Sequence, residues 1–185
     1  MLSMDNINID NVDGLSDTIR IAEIVGNSIV DGPGLRFVVF AQGCMLNCEG
    51  CHNPTAQSVD GGKEMQVDEI IAEMSRNPLT DGITFSGGEP LLQAGQCAEI
   101  AAAARAKGLD VWLFTGFKFE ELLNQANVDQ EVACLLENTD VLVDGPYIQA
   151  EKSLQLKWRG SSNQRVLDIR KSFEHGEAVL FGDES

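Results

Sequence analysis

Cys44, Cys48 and Cys51 lie within eight residues, in the run Cys44-Met-Leu-Asn-Cys48-Glu-Gly-Cys51. Thiolates at this C-x3-C-x2-C spacing can converge on a single metal centre. A closed structural zinc site takes four protein ligands, and a cubane iron–sulfur cluster ligated fully by protein also takes four, one per iron. A cubane held by three thiolates leaves one iron open to a substrate, which makes it a reactive centre. Other readings compete with this one. Cys48-Glu-Gly-Cys51-His52 matches the C-x-x-C-H haem attachment pattern, and C-x-x-C alone can be a redox dithiol. Haem attachment follows export, however, and residues 1–20 carry no basic stretch followed by an apolar one, so they do not read as a signal peptide; Cys44 would also go unexplained. A Cys3His zinc site would need His52, which points away from its neighbour Cys51 on an extended backbone. Five cysteines in 185 residues are too few, and odd in number, for a disulfide framework. Cys97 and Cys134 stand alone in apolar helical segments and read as small buried groups, so no second cysteine cluster is expected.

The chain is long enough for one domain with an ample core. Its 43% apolar and 23% charged fractions are those of an ordinary globular protein, and no apolar run approaches the roughly 18 residues of a membrane span. A net charge of −16, from 29 acidic and 13 basic residues, argues against a broad footprint on nucleic acid or anionic lipid. Unpaired thiols point to a reducing cytoplasm.

Strand and helix patterns alternate along the chain. Ile19 to Val25 and the run Leu35 to Phe40 (LRFVVF) read as strands, the second feeding directly into the cysteine loop. Val67 to Asn77 has apolar residues at helical spacing, and Ile83 to Phe85 is a short strand ending in Ser86-Gly87-Gly88-Glu89-Pro90. Leu91 to Lys107 is an alanine-rich helix that Gly108 stops. Val111 to Phe114 is a strand closed by Thr115-Gly116. Helices follow near Phe119–Gln125 and Asp129–Glu137, then strand Val141 to Val143 with Asp144-Gly145-Pro146 at its end, and a last strand at Val166 to Ile169. Such alternation implies parallel βαβ units, and ligands of α/β folds gather at the carboxyl ends of the strands. The units are too few for an eight-fold barrel, so the expected architecture is a single-domain α/β fold with a partial parallel (β/α) barrel. A flavodoxin-like open sheet would need a phosphate loop, and the chain has neither a Walker A sequence nor G-x-G-x-x-G.

With the cysteine motif after one strand and Gly-Gly-Glu-Pro after the next, the chain resembles the radical S-adenosylmethionine superfamily. Asp31-Gly-Pro-Gly-Leu-Arg36 before the cysteines and Cys51-His-Asn-Pro54 after them are similar to the glycyl-radical-enzyme activases. Val143-Asp-Gly-Pro146 and Arg159-Gly-Ser-Ser-Asn-Gln-Arg165 are most similar to one branch, the anaerobic ribonucleoside-triphosphate reductase activating proteins. The match runs from about Ile19 to Ile169. The resemblance implies that Cys44, Cys48 and Cys51 hold a 4Fe-4S cluster whose open iron chelates the amino and carboxylate groups of S-adenosylmethionine. Reductive cleavage then yields a 5′-deoxyadenosyl radical, which takes a hydrogen from a glycine of the protein substrate, the large subunit of anaerobic ribonucleotide reductase. It also implies a flavodoxin or similar electron donor, a cytoplasmic enzyme, and no nucleic acid or membrane partner. Residues 19–185 would form the radical S-adenosylmethionine domain, preceded by a flexible acidic extension over residues 1–18.

Within that resemblance, Ser86, Gly87, Gly88 and Glu89 are the expected cradle for the methionine end. Glycines let backbone carbonyls approach the ammonium, and Glu89 adds negative charge. A side chain at Gly87 or Gly88 is expected to obstruct the methionine and leave the cluster in place. Many superfamily members carry an aromatic residue where this chain has Gly50, so adenine contact is expected from the backbone of Gly50, Cys51 and His52. Thr115 and Asp144, at later strand tips, are expected near the ribose or the carboxylate, though both types are also common in turns. Arg159 and Arg165 are expected at the rim, facing substrate or partner. Trp112, Tyr147 and Trp158 read as packing residues. Alternative functions are activation of another glycyl radical enzyme, a small-molecule radical enzyme and, in another class, a non-catalytic iron–sulfur or zinc protein.

Overall fold

The computed structural model describes residues 17–182; most of the expected N-terminal extension, residues 1–16, lies outside them. One seven-stranded sheet organises the chain. Its strands are β1 (Thr18–Ser28), β2 (Arg36–Ala41), β3 (Lys63–Gln66), β4 (Gly82–Gly87), β5 (Asp110–Phe114), β6 (Val141–Asp144) and β7 (Arg165–Asp168). They lie in the order β3-β1-β2-β4-β5-β6-β7. The central β2, β4, β5 and β6 run parallel, as the βαβ alternation requires. The margins depart from that pattern: β1 pairs antiparallel with both β2 and β3, and β7 antiparallel with β6. The sheet's edges, β3 and β7, do not pair with each other, so the sheet is open and not a closed eight-fold barrel, as the number of units requires.

Period-two alternation along the parallel strands sorts side chains to two faces. Phe37 and Val39, Ile83 and Phe85, Val111 and Leu113, and Leu142 enter the main core. There they meet the helices α1 (Val67–Met74), α2 (Ala94–Ala106), α3 (Phe119–Ala126), α4 (Gln130–Glu137) and α5 (Ile169–His175). Helix α2 buries Ala94, Gly95, Cys97, Ala98, Ile100, Ala101 and Ala104; its small side chains let it lie close to the sheet and α4. Gly108, in the left-handed region at φ +78°, stops the helical segment where the sequence places the stop.

The alternate residues, Arg36, Val38 and Phe40, Thr84 and Ser86, Trp112 and Phe114, Val141 and Val143, project to the opposite face. At the amino ends of the strands this face is plugged. The fully buried Arg36 donates to Thr84 Oγ1 at 3.1 Å and to the Ile83 carbonyl at 2.6 Å, pairs with Asp110, and lies 5.7 Å from the Trp112 ring centroid. Burial holds the Arg36 guanidinium below its ordinary pKa, and the bonds to Asp110 restore part of the difference. Toward the carboxyl ends the same face is open, and Phe40, Ser86 and Phe114 line a cavity there.

Candidate active site

Neither the cysteine loop nor the strand ends around it could hold their shape by local propensity alone, and both are fixed by backbone hydrogen bonds. Gly43 N donates to Ala56 O at 2.8 Å and Cys44 N to Gln57 O at 2.9 Å, closing the neck of the loop. The Gln42 side chain reinforces the neck from within, donating to the carbonyls of Thr55 and Ser58. The loop is then sewn to β4: Gly88 N donates to Ala41 O at 2.7 Å and Glu89 N to Gly43 O at 2.8 Å. Inside the loop Cys51 N donates to Cys48 O at 3.2 Å, and Asn53 N donates to Cys51 Sγ at 3.4 Å.

Cys44, Cys48 and Cys51 are all free, half-buried and on the wall of one cavity of about 580 Å³. His52, Ser86, Gly87, Gly88, Glu89 and Thr115 share that wall. Cys97 and Cys134 are buried in the main core, as expected. Among the described residues no three His, Cys, Asp or Glu side chains converge closely enough for one metal ion. The donor set of three thiolates in one loop, open to a roomy cavity, fits a 4Fe-4S cluster, which Cys44, Cys48 and Cys51 would hold.

Four of the sequence-predicted residues also carry structural demands of their own. A Cβ on Gly87, whose φ is +101°, would come within 2.6 Å of Ala41 N and O. One on Gly88 would collide with the carbonyl of Gly43 and come within 2.7 Å of that of Ala56. The glycine pair therefore lets β4 meet β2 and the loop neck. Glu89 is only 1% exposed. Its carboxylate accepts from Leu91 N at 3.2 Å, Thr115 Oγ1 at 2.9 Å and Gly116 N at 2.9 Å, so it latches the end of β4 to the end of β5. Burial pushes its pKa up to about 7 against the pull of those three donors. Asp144, also 1% exposed, is turned to the structure rather than to the cavity wall. It accepts from Phe119 N at 2.8 Å, capping α3, and pairs with Arg165, whose Nε lies at 3.0 Å.

Gly50 stands outside the cavity lining; its φ is +70°, and any side chain there would displace that of Gln149. Arg165, expected at the rim, is committed internally: besides Asp144 it makes a bidentate pair with Glu120 at 3.0 and 2.9 Å. These partners, Asp144 first, hold its pKa above the ordinary arginine value. Arg159, by contrast, lines the cavity. So do residues that the sequence did not single out for the site: Glu23, Asp31, Gln57, Leu156 and Gln164. Tyr147 and Trp158, read as packing residues, line it too, and the Tyr147 ring lies 4.7 Å from that of His52, centroid to centroid. Asp31 sits in the Asp-Gly-Pro-Gly turn and Gln164 in the Arg159–Arg165 stretch, signals already visible; Glu23, Gln57 and Leu156 lie on no motif.

A family model described as a 4Fe-4S single cluster domain matches residues 30–167. The anaerobic ribonucleoside-triphosphate reductase-activating protein of Vibrio cholerae is 37% identical over 147 residues, 75% of this chain and 90% of that protein. The protein of the same name from enterobacteria phage T4 is 36% identical over 147 residues, covering 74% and 86%. The pyruvate formate-lyase-activating enzyme of Clostridium pasteurianum is 39% identical over 118 residues, but these cover only 59% of this chain and 50% of the enzyme. QueE from Escherichia coli superposes with a TM-score of 0.42 at 15% identity, over 54% of this chain and 52% of its own, a likeness too slight to bear on the site. No helix among the described residues is long and apolar enough to cross a membrane. With the single-cluster domain spanning the cysteine loop and relatives matched over nearly their whole length, the chain belongs to the anaerobic ribonucleoside-triphosphate reductase-activating proteins, glycyl-radical-enzyme activases of the radical S-adenosylmethionine type.

Proposed function

We propose that this protein activates an anaerobic ribonucleoside-triphosphate reductase by generating a glycyl radical on the reductase's large subunit. The observation that carries the reading is the convergence of Cys44, Cys48, Cys51 and the Ser86–Glu89 turn on one cavity at the carboxyl ends of the parallel strands. Cys44, Cys48 and Cys51 would hold the cluster, while Ser86, Gly87, Gly88, His52 and Thr115 would border S-adenosylmethionine. When bound, the cluster and S-adenosylmethionine supply reductive cleavage of a sulfonium bond and with it a hydrogen-abstracting radical.

The chain's own residues supply position and enclosure. Glu89 fixes the Thr115-Gly116 turn against the Gly-Gly segment, so two strand ends move as one piece. Phe40, Phe114, Leu46, Leu156 and Trp158 give the cavity an apolar lining that limits water around a reactive intermediate. A flavodoxin or similar carrier is the proposed electron donor, and the free cysteines suit a reducing cytoplasm.

The test is anaerobic reconstitution of the cluster, followed by mixing with S-adenosylmethionine, a reductant and the reductase large subunit. A glycine-centred doublet should appear in the electron paramagnetic resonance spectrum of the reductase. Cleavage to 5′-deoxyadenosine with no doublet on the reductase would reject it as the target.

A further inference from the structure

Of the 25 residues that line the cavity, Arg159 is the sole lysine or arginine, whereas Glu23, Asp31 and Glu89 contribute carboxylates. None of those three pairs with it. Asp31 accepts from Ser28, Glu89 is held by the three donors described above, and no ion pair among the described residues involves Arg159. Its Nη1 donates to the Gln164 carbonyl at 2.8 Å, while its Nε is buried with no hydrogen-bond partner. A buried guanidinium donor without a partner is costly, so its retention beside a cavity calls for a ligand that pairs with it.

The backbone on either side holds Arg159 in place. Trp158 adopts a left-handed φ of +57° and packs edge-on against Trp112, with ring centroids 5.0 Å apart. Gly160 donates to Gln164 Oε1 at 2.9 Å, and a Cβ there would come within about 3.0 Å of His52 and 3.1 Å of Tyr147. Arg159 is thus carried to the cavity on a segment fixed by packing before and behind it, beside the His52–Tyr147 ring pair and the cysteine loop.

We infer that Arg159 is an anion site within the cavity that takes the α-carboxylate of S-adenosylmethionine. This rests on the reading of the cavity as the S-adenosylmethionine site. The carboxylate is the only anionic group on that otherwise cationic ligand, and a guanidinium edge can engage a carboxylate oxygen that a metal does not use. Arg159 then acts as a positioning residue: it sets the methionine end of the ligand relative to the cluster loop.

The experiment is a binding cycle on cluster-loaded protein under anaerobic conditions. Affinities of wild type, Arg159→Met and Arg159→Lys are measured by equilibrium dialysis for S-adenosylmethionine and for its decarboxylated analogue. Any contribution of the carboxylate to metal binding is present in every protein and cancels in the cycle. Arg159→Met is expected to weaken S-adenosylmethionine by about ten- to a hundredfold and the decarboxylated analogue by less than about twofold, with Arg159→Lys recovering part of the loss and iron content unchanged. Equal weakening of both ligands would overturn the inference, because Arg159 would then be shaping the cavity only. Unchanged affinity for both, with impaired association of the reductase, would overturn it in favour of a contact with the protein partner. Failure of wild type itself to bind S-adenosylmethionine would reject the reading of the cavity, a result separable from any behaviour of the variants.

Discussion

Gly88 shows how one atom's worth of space can govern a metal site. Its missing Cβ leaves room for the carbonyls of Gly43 and Ala56, which form the neck of the cysteine loop. Gly88→Ala should therefore force the neck open, lowering stability by about 3 kcal/mol and reducing the iron bound after reconstitution. Cys44→Ala, Cys48→Ala and Cys51→Ala should each abolish the cubane outright, while Cys97→Ala and Cys134→Ala should keep it. Iron and sulfide analysis decides the matter; a Gly88→Ala protein with full iron and impaired S-adenosylmethionine binding would restore the simpler view of Gly88 as a ligand cradle. Glu89 makes a second prediction at this scale. Its folded pKa of about 7 lies above the ordinary carboxylate value of 4.5, so its contribution to stability is fully present below about pH 4.5 and is lost as the pH rises through about 7. In urea denaturation of the cluster-free protein, wild type should lose about 2 kcal/mol relative to Glu89→Gln between about pH 5.5 and pH 8.5. Parallel stability curves for the two proteins would show that Glu89 does not titrate in this range.

At the level of elements, the end of β6, the start of α3 and β7 are joined through a single buried carboxylate. Asp144 caps α3 through Phe119 N and pairs with Arg165 of β7, and Arg165 reaches back to Glu120 on α3. The two halves of this triad should differ in strength. Arg165→Leu strands a buried charge and should cost about 3 kcal/mol, whereas Glu120→Ala removes a partner that is 55% exposed and should cost under about 1 kcal/mol. Thermal melts of the two variants measure the difference, and equal losses would refute the ranking. This triad also marks where sequence reading stops. The parallel strands were legible because LRFVVF, Ile83–Phe85 and Val111–Phe114 are β-branched or aromatic runs ending in glycine-containing turns. β3 was not, because Lys-Glu-Met-Gln is a polar edge strand with no apolar period, specified by pairing with β1. Helix α5 was missed for a related reason: seven residues after a strand give too little periodicity. Cys44, Cys48 and Cys51 were legible from spacing alone, but the inward turn of Asp144 and Arg165 depends on partners distant in sequence, and nothing local announces them.

Over the whole molecule, the cluster loop and the core are separate in space. None of Cys44, Cys48 or Cys51 belongs to either cluster of core residues. The apolar contacts that hold the sheet against its helices come from residues such as Val39, Phe85, Leu113, Ile100 and Leu135. The ladder between β2 and β4 spans six residue pairs and is complete without any thiolate. The loop is tied to that ladder at its neck, where Gly88 N donates to Ala41 O and Glu89 N to Gly43 O. Local stability should accordingly fall into two tiers. Removing the cluster with a chelator should leave the far-ultraviolet circular dichroism and the amide protection of β2, β4 and β5 unchanged. Exchange should accelerate in residues 45–55, where the thiolates lose their common anchor, and only slightly at the neck. Hydrogen exchange followed by mass spectrometry, on protein with and without cluster, would read both tiers in one experiment. Loss of protection through β4 and β5 on chelation would mean that the cluster holds the sheet together, and the division between scaffold and site drawn from the packing would be wrong.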